Sequence, residues 1–290
     1  MQQITAQEWI DTGNYFTRPN GQKVFYHKQG CGSPIVMLHG FPTWSYDYST
    51  IADDLQQDFE VISFDFIGYG ASDKPRKHNY CVGDSADLVQ ELLRYLGINE
   101  FHIVMHDYGG IVGQELLDRY RKKQFSGQIK SVSILNCGVI YKEYRPTFLQ
   151  KLLATPILGR IVAASVSREK VHGGLNKVRG VSQLNNSEFE QLWQGISRKN
   201  GHKLSHRHIG YNAERAVHAE RWEDALYVFS GPIQLIWGMS DPVSGSRILN
   251  SLLPLLTRAR VTELSDVGHF PQSEAPEKVA ETIRNFISTQ

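Results

Sequence analysis

The sequence predicts an α/β protein: a mostly parallel sheet flanked by helices, with a helical segment inserted after the sixth strand. Three observations predict it. Short β-rich runs alternate with helical patterns. One long interval without a convincing strand interrupts that alternation. Polar residues follow successive apolar runs, at the carboxyl ends of strands where open α/β sheets place their chemistry.

The strand-like runs are Lys23–His27, Ile35–Leu38, Val61–Phe64, His102–His106, Lys130–Leu135, Ile233–Trp237 and Arg260–Leu264. Pro19-Asn20-Gly21 marks a turn before the first of them, so the chain opens with an antiparallel hairpin. Helical patterns cover Asp84–Leu96, Gly110–Tyr120, Arg247–Leu255 and Pro276–Ser288. Between Val139 and Leu226 the text is helical and polar, with 14 Lys and Arg against 8 Asp and Glu. That interval is too long for a simple crossover. The expected domains are therefore a core of 1–138 and 227–290 and a helical cap of 139–226.

Composition excludes several classes. A chain of 290 residues, 41% hydrophobic and 21% charged, can bury a core without staples. Lys and Arg number 31 against 30 Asp and Glu, so no nucleic-acid partner and no charge-driven membrane role are expected. Cys31, Cys81 and Cys137 are an odd number without metal-like spacing, which argues against a disulfide framework or a zinc site. His202, His206, His208 and His218 lack acidic or Cys partners, so no metal and no cofactor are expected. Gly68 and Gly70 have no third glycine at the offset a dinucleotide fingerprint requires. The opening MQQITAQEWIDTG has neither a basic nor an apolar signal region, which with the cysteine usage predicts a cytoplasmic protein.

The residues after the apolar runs carry the functional signal. His39-Gly40-Phe41-Pro42 follows the second run and Asp65 to Ser72 the third. His106-Asp107-Tyr108-Gly109-Gly110 closes the fourth, Gly238-Met239-Ser240-Asp241-Pro242 follows the sixth, and Val267-Gly268-His269-Phe270 precedes the last helix. Singly each has an ordinary reading: Asp107 as a helix N-cap, Asp241 as a turn residue, His269 as a surface loop histidine.

In order along one chain, these motifs resemble the α/β-hydrolase fold family over essentially the whole length. The resemblance implies a mostly parallel eight-stranded sheet with flanking helices and an inserted helical cap. His106-Asp107-Tyr108-Gly109-Gly110 looks like the nucleophile elbow, and nucleophile, acid and histidine follow in the family's order. By that resemblance Asp107 is the nucleophile, His269 the base that activates water and Asp241 its support. The N–H groups of Phe41 and Tyr108 would form the oxyanion hole. His39, Pro42, Trp44, Tyr141 and Phe270 are the expected walls of the substrate pocket.

A carboxylate nucleophile points to a saturated carbon as the electrophile. Attack on a carbonyl would give a reactive anhydride, whereas attack on an epoxide or alkyl halide gives an alkyl ester that water can cleave. The resemblance then narrows to epoxide hydrolases, haloalkane dehalogenases and the mesoderm-specific-transcript branch. Dehalogenases hold the departing halide with a Trp after the nucleophile and an Asn or cap Trp; Tyr108 and Phe41 occupy the comparable positions here. Epoxide hydrolases keep His-Gly-Phe-Pro and use cap tyrosines as neutral proton donors. Tyr211 falls near the second such tyrosine; Tyr144 and Tyr141, both early in the cap, are the candidates for the first. Ser45-Tyr46-Asp47 and Gly113-Gln114-Glu115-Leu116-Leu117 look most like the mesoderm-specific-transcript branch.

The expected function is hydrolysis of a small apolar epoxide to a vicinal diol. Carbon–halogen hydrolysis with the same triad is the alternative. A catalytically silent fold used as a ligand-binding or interaction protein is a further one.

Overall fold

The computed structural model describes residues 4–290. Residues 1–3, the start of the opening segment read above, lie outside the described residues. Strands β1 (Asn14–Thr17), β2 (Lys23–Gln29), β3 (Ser33–Leu38), β4 (Phe59–Phe64), β5 (Glu100–His106), β6 (Gln128–Leu135), β7 (Ile233–Gly238) and β8 (Arg260–Leu264) form one sheet. Its order is β1-β2-β4-β3-β5-β6-β7-β8. β1 and β2 pair antiparallel around the predicted turn, β2 also runs antiparallel to β4, and all pairs from β4 to β8 are parallel. The strand that supplies the first half of the hairpin, β1, is four residues long, too short to stand out as a periodic run.

The sheet is covered on both faces, which is why its inner strands read as continuous apolar runs. Successive side chains of β3 leave on opposite sides. Val36 and Leu38 enter one core with the helices α3 (Val82–Leu96) and α4 (Tyr108–Arg121); Ile35 and Met37 enter the other with α2 (Ser49–Leu55) and the C-terminal helix Pro276–Ile287. The N-terminal helix α1 (Ala6–Thr12) adds Trp9 and Ile10 to this second core and begins on a capping box between Thr5 and Glu8.

Between β6 and β7 the described chain has no strand, and its α-helices are α5 (Phe148–Leu153), α6 (Leu158–Ala164), α7 (Arg168–Asn176), α8 (Asn186–Ser197), α9 (Ser205–His208) and α10 (Tyr211–Tyr227), with irregular stretches at 136–147 and 177–185. α8 is tied to the core through Trp44, whose indole N–H donates to the Leu192 carbonyl at 3.2 Å. A Cβ on Gly195 would lie 2.1 Å from the Trp44 ring, so only glycine lets the helix approach this closely. After β7 come α11 (Ser246–Leu252), α12 (Pro271–Glu274) and α13 (Pro276–Ile287). Among the described residues no helix is long and apolar enough to cross a membrane.

Candidate active site

One residue, Asp107, joins β5 to α4, and its backbone sits at φ 46° and ψ −113°. A non-glycine residue in that region is strained, and such strain concentrates at functional sites. Bare backbone nearby makes the turn possible. A Cβ on Gly109 would fall 2.2 Å from the Leu38 carbonyl oxygen, and one on Gly40 would fall 2.7 Å from Cβ of Asp107. The Asp107 side chain makes no helix-cap bond, so the N-cap reading does not describe it. Its Oδ1 instead accepts from the Phe41 N–H at 2.8 Å. Tyr108 is the first residue of α4, so its N–H has no acceptor within the helix.

The other two residues meet Asp107 from the far end of the chain. His269 Nε2 lies 3.5 Å from Asp107 Oδ2, and its Nδ1 donates to Asp241 Oδ2 at 2.7 Å. Asp241 Oδ1 accepts from the Val243 N–H at 2.7 Å, so the turn role and the ion-pair role coexist in one side chain. All three are buried. Burial disfavours the imidazolium, yet Asp241 and Asp107 outweigh it and push the His269 pKa up to about 10. Burial likewise opposes the two carboxylates, and His269 above all holds both below their ordinary value. The resting arrangement is a carboxylate–imidazolium–carboxylate line.

Several supports were not legible as site residues. Asn136, after β6 at φ 36°, donates to Asp241 Oδ2 at 3.0 Å and to the Gly238 carbonyl at 2.9 Å, while its Oδ1 accepts from the Gly238 N–H at 2.7 Å. His106 Nε2–H donates to the His269 carbonyl at 2.7 Å and its Nδ1 accepts from Gln272 at 3.2 Å. Burial and the neighbouring His269 lower the His106 pKa to about 4, keeping it neutral. Glu274 accepts from three backbone N–H groups, those of Gly180, Gly268 and Phe270, at 2.7 to 2.9 Å. It thereby pins the histidine loop to the insertion, where the His269 N–H also donates to Val178. Nothing in the sequence flags Glu274, because its partners are backbone groups from two distant segments.

Two buried tyrosines of the insertion complete the group. Tyr211, at the start of α10, packs its ring 5.1 Å from that of Tyr108. Tyr144 lies under the Arg215 guanidinium, 4.2 Å from its ring centroid. Arg215 donates to Asn212 Oδ1 at 3.2 Å and to the Gly138 carbonyl, which fixes it there. Among the described residues neither tyrosine hydroxyl has a partner within hydrogen-bond geometry, although the two lie near each other and Tyr144 lies near Asn212. Burial and then the charge of Asp107 push the Tyr144 pKa up to about 12 and that of Tyr211 well above its ordinary value.

The remaining expected wall residues are placed unevenly. Phe270 stacks obliquely beside His106 and edge-on to His269. Pro42 lies by the loop that bears Tyr69, against the insertion. His39 is fully buried with both ring nitrogens engaged, Nδ1 donating to Gly40 and Nε2 accepting from Phe66, which braces the Phe41 turn from beneath. Trp44 is spent on anchoring α8. Tyr141 is 38% exposed, and its ring faces the Arg215 guanidinium at 5.7 Å, the same group that covers Tyr144. The Tyr108 hydroxyl bonds Ser85 at 2.7 Å, turned toward α3. Gly113 makes room for Met105: a Cβ there would meet its sulfur at 2.2 Å.

Comparison with known proteins agrees with this architecture. Residues 33–276 match the alpha/beta hydrolase fold family. The chain is 37% identical to the mesoderm-specific transcript homolog protein of Homo sapiens, across 97% of this chain and 87% of that protein. It is 27% identical to a cis-3-alkyl-4-alkyloxetan-2-one decarboxylase of Shewanella oneidensis, across 94% and 88%. Haloalkane dehalogenase DbeA of Bradyrhizobium elkani superposes with a TM-score of 0.79 at 18% identity, covering 96% of this chain and 97% of that one. The chain belongs to the α/β-hydrolase fold family.

Proposed function

We propose that this hydrolase opens epoxides to vicinal diols through an alkyl ester on Asp107. The observation that carries the reading is the pair of buried, unpartnered hydroxyls of Tyr144 and Tyr211, close enough to Asp107 to feel its charge. A buried hydroxyl without a partner costs about 1–3 kcal/mol, so two together favour an oxygen-bearing ligand that accepts from them. Their raised pKa values keep both protonated at neutral pH, as a general acid requires.

In the proposed chemistry Asp107 Oδ2 attacks a ring carbon. The carbon–oxygen bond breaks, and the ring oxygen takes a proton from a tyrosine. Oδ1 becomes the ester carbonyl oxygen, already bonded to Phe41 N–H. Esterification removes the charge on Asp107, so the imidazolium of His269 loses one of its two anionic partners and gives up its proton. That proton restores the tyrosine and leaves His269 able to accept one from water. Hydroxide adds to Cγ, and the oxyanion on Oδ1 rests against the Phe41 and Tyr108 N–H groups; collapse breaks the bond from Cγ to the alkyl oxygen, which takes the proton of the added hydroxyl, and the diol departs. His269 ends protonated and Asp107 ionised, as at the start.

A halide leaving group is less well served. Of the five tryptophans, four donate their indole N–H to protein groups: Trp9 to Ser45, Trp44 to Leu192, Trp222 to Glu115 and Trp237 to Ser244 and Gly245; the fifth, Trp193 in α8, packs between Phe189 and His202 and is the remaining cap candidate for a halide donor. An oxetan-2-one, the ring named for the Shewanella oneidensis relative, is a second strained oxygen ring. Its carboxylate leaving group needs no proton donor. Tyr211→Phe therefore separates the readings. With a panel of epoxides, haloalkanes and oxetan-2-ones, epoxide turnover should fall roughly 100-fold while the other two classes change little. Equal loss on all classes, or no wild-type epoxide turnover beside good haloalkane turnover, would remove the proposal.

A further inference from the structure

The insertion carries an apolar surface that the chemistry at Asp107 does not use. Among the described residues, five of the thirteen exposed large hydrophobic side chains lie in the α5–α6 pair: Phe148, Leu149, Ile157, Leu158 and Ile161. Leu153, Gly159 and Ala163 form the inward face of the same pair. A Cβ on Gly159 would fall 2.1 Å from the Leu153 carbonyl oxygen, so the two short helices pack tightly on each other with their large apolar side chains outward. Outward exposure is thus a property of how the pair is built, and clustered exposed apolar groups mark interaction surfaces.

The charge of the same stretch identifies the partner. From Tyr144 to Arg168 there is no Asp or Glu, while Arg145, Lys151, Arg160 and Arg168 all fall within it. Arg168 pairs with Glu190 at 2.9 Å, whereas among the described residues Lys151 and Arg160 make no ion pair, and both are exposed. The chain's net charge of +1 conceals this, because the insertion's excess of Lys and Arg is offset by acidic residues elsewhere. Apolar side chains that immerse in the acyl boundary, interleaved with cations and free of acids, complement an anionic bilayer surface. We propose that the α5–α6 face docks the protein on anionic phospholipid membranes. The expectation of no charge-driven membrane role was drawn from the whole-chain sum, which averages over any local patch. The face begins four residues after Tyr144, so docking would set the roof of the candidate site against a reservoir of apolar molecules.

Co-sedimentation of the full chain with phosphatidylcholine vesicles containing about one-third phosphatidylglycerol tests this. Wild type should bind these vesicles, bind pure phosphatidylcholine at least about tenfold more weakly, and detach as salt is raised. The variant Phe148→Ser/Ile157→Ser/Ile161→Ser and the variant Lys151→Glu/Arg160→Glu should each lose about tenfold or more in vesicle affinity. Both should keep the wild-type melting temperature, because every substituted side chain is exposed. Absence of wild-type binding, equal binding to neutral vesicles, or binding that survives both variants would overturn the proposal. So would a wild-type dimer that the apolar variant dissociates, without vesicle binding, since the face would then serve a second copy of this chain.

Discussion

Incubated with an epoxide that the wild type hydrolyses, the His269→Gln variant is expected to gain the mass of one whole epoxide and to hold it. Alkylation requires Asp107, its bond to Phe41 N–H and a tyrosine proton, all of which survive the substitution. Hydrolysis of the ester requires a base at Nε2, which lies 3.5 Å from Asp107 in the wild type and is absent from Gln. The two half-reactions therefore separate, and steady-state turnover should fall about 10⁴-fold or more. Intact-protein mass reads the adduct. A haloalkane in place of the epoxide would add only its alkyl group, so the same experiment distinguishes the rival leaving group. Retained turnover, or a variant that stays at its original mass with a good wild-type substrate, would show that His269 does not act after attack.

Asp107→Asn should have the largest effect on activity, a loss of roughly 10⁵-fold or more in kcat/KM with the fold intact. The amide nearly matches the carboxylate in shape, so the elbow and the Phe41 contact are retained while the nucleophile is removed. No neighbour is positioned to replace it. His106 is held neutral between the His269 carbonyl and Gln272. Asn136 spends its amide on Gly238 and Asp241. The Cys137 thiol is buried against the Met105 and Leu135 carbonyls, and burial pushes its pKa well up, away from the reactive thiolate. Activity within tenfold of wild type, with unchanged circular dichroism, would mean that the reaction does not pass through Asp107.

What the sequence made legible follows from which contacts are local. The elbow could be read because a strand, a single strained residue and a helix are contiguous, and because Gly109 and Gly110 mark the close approach of α4 to β3 and Cys137. Asp241 could be read because it stands just beyond a buried apolar strand, and His269 because it stands between the last strand and the last helical pattern. The parallel sheet was visible in its fully buried runs, whereas β1 was marked only by the turn after it, since four residues hold too few periods to register. The insertion was recognisable only by its length and charge. Its internal geometry depends on contacts such as Arg215 over Tyr144, which joins α10 to the segment before α5. For Trp44 and Tyr141 the sequence carries no information on side-chain direction, which is set by α8 packing on one and by Arg215 and solvent on the other.

A single turnover in water enriched in heavy oxygen, with enzyme in excess over epoxide, tests the ester on Asp107 most directly. The account predicts that water's oxygen enters the Asp107 carboxylate, adding about 2 Da to the peptide that contains it, while the first diol formed carries an oxygen from the original carboxylate. A labelled diol beside an unlabelled Asp107 would mean that water attacks the epoxide directly and would contradict it.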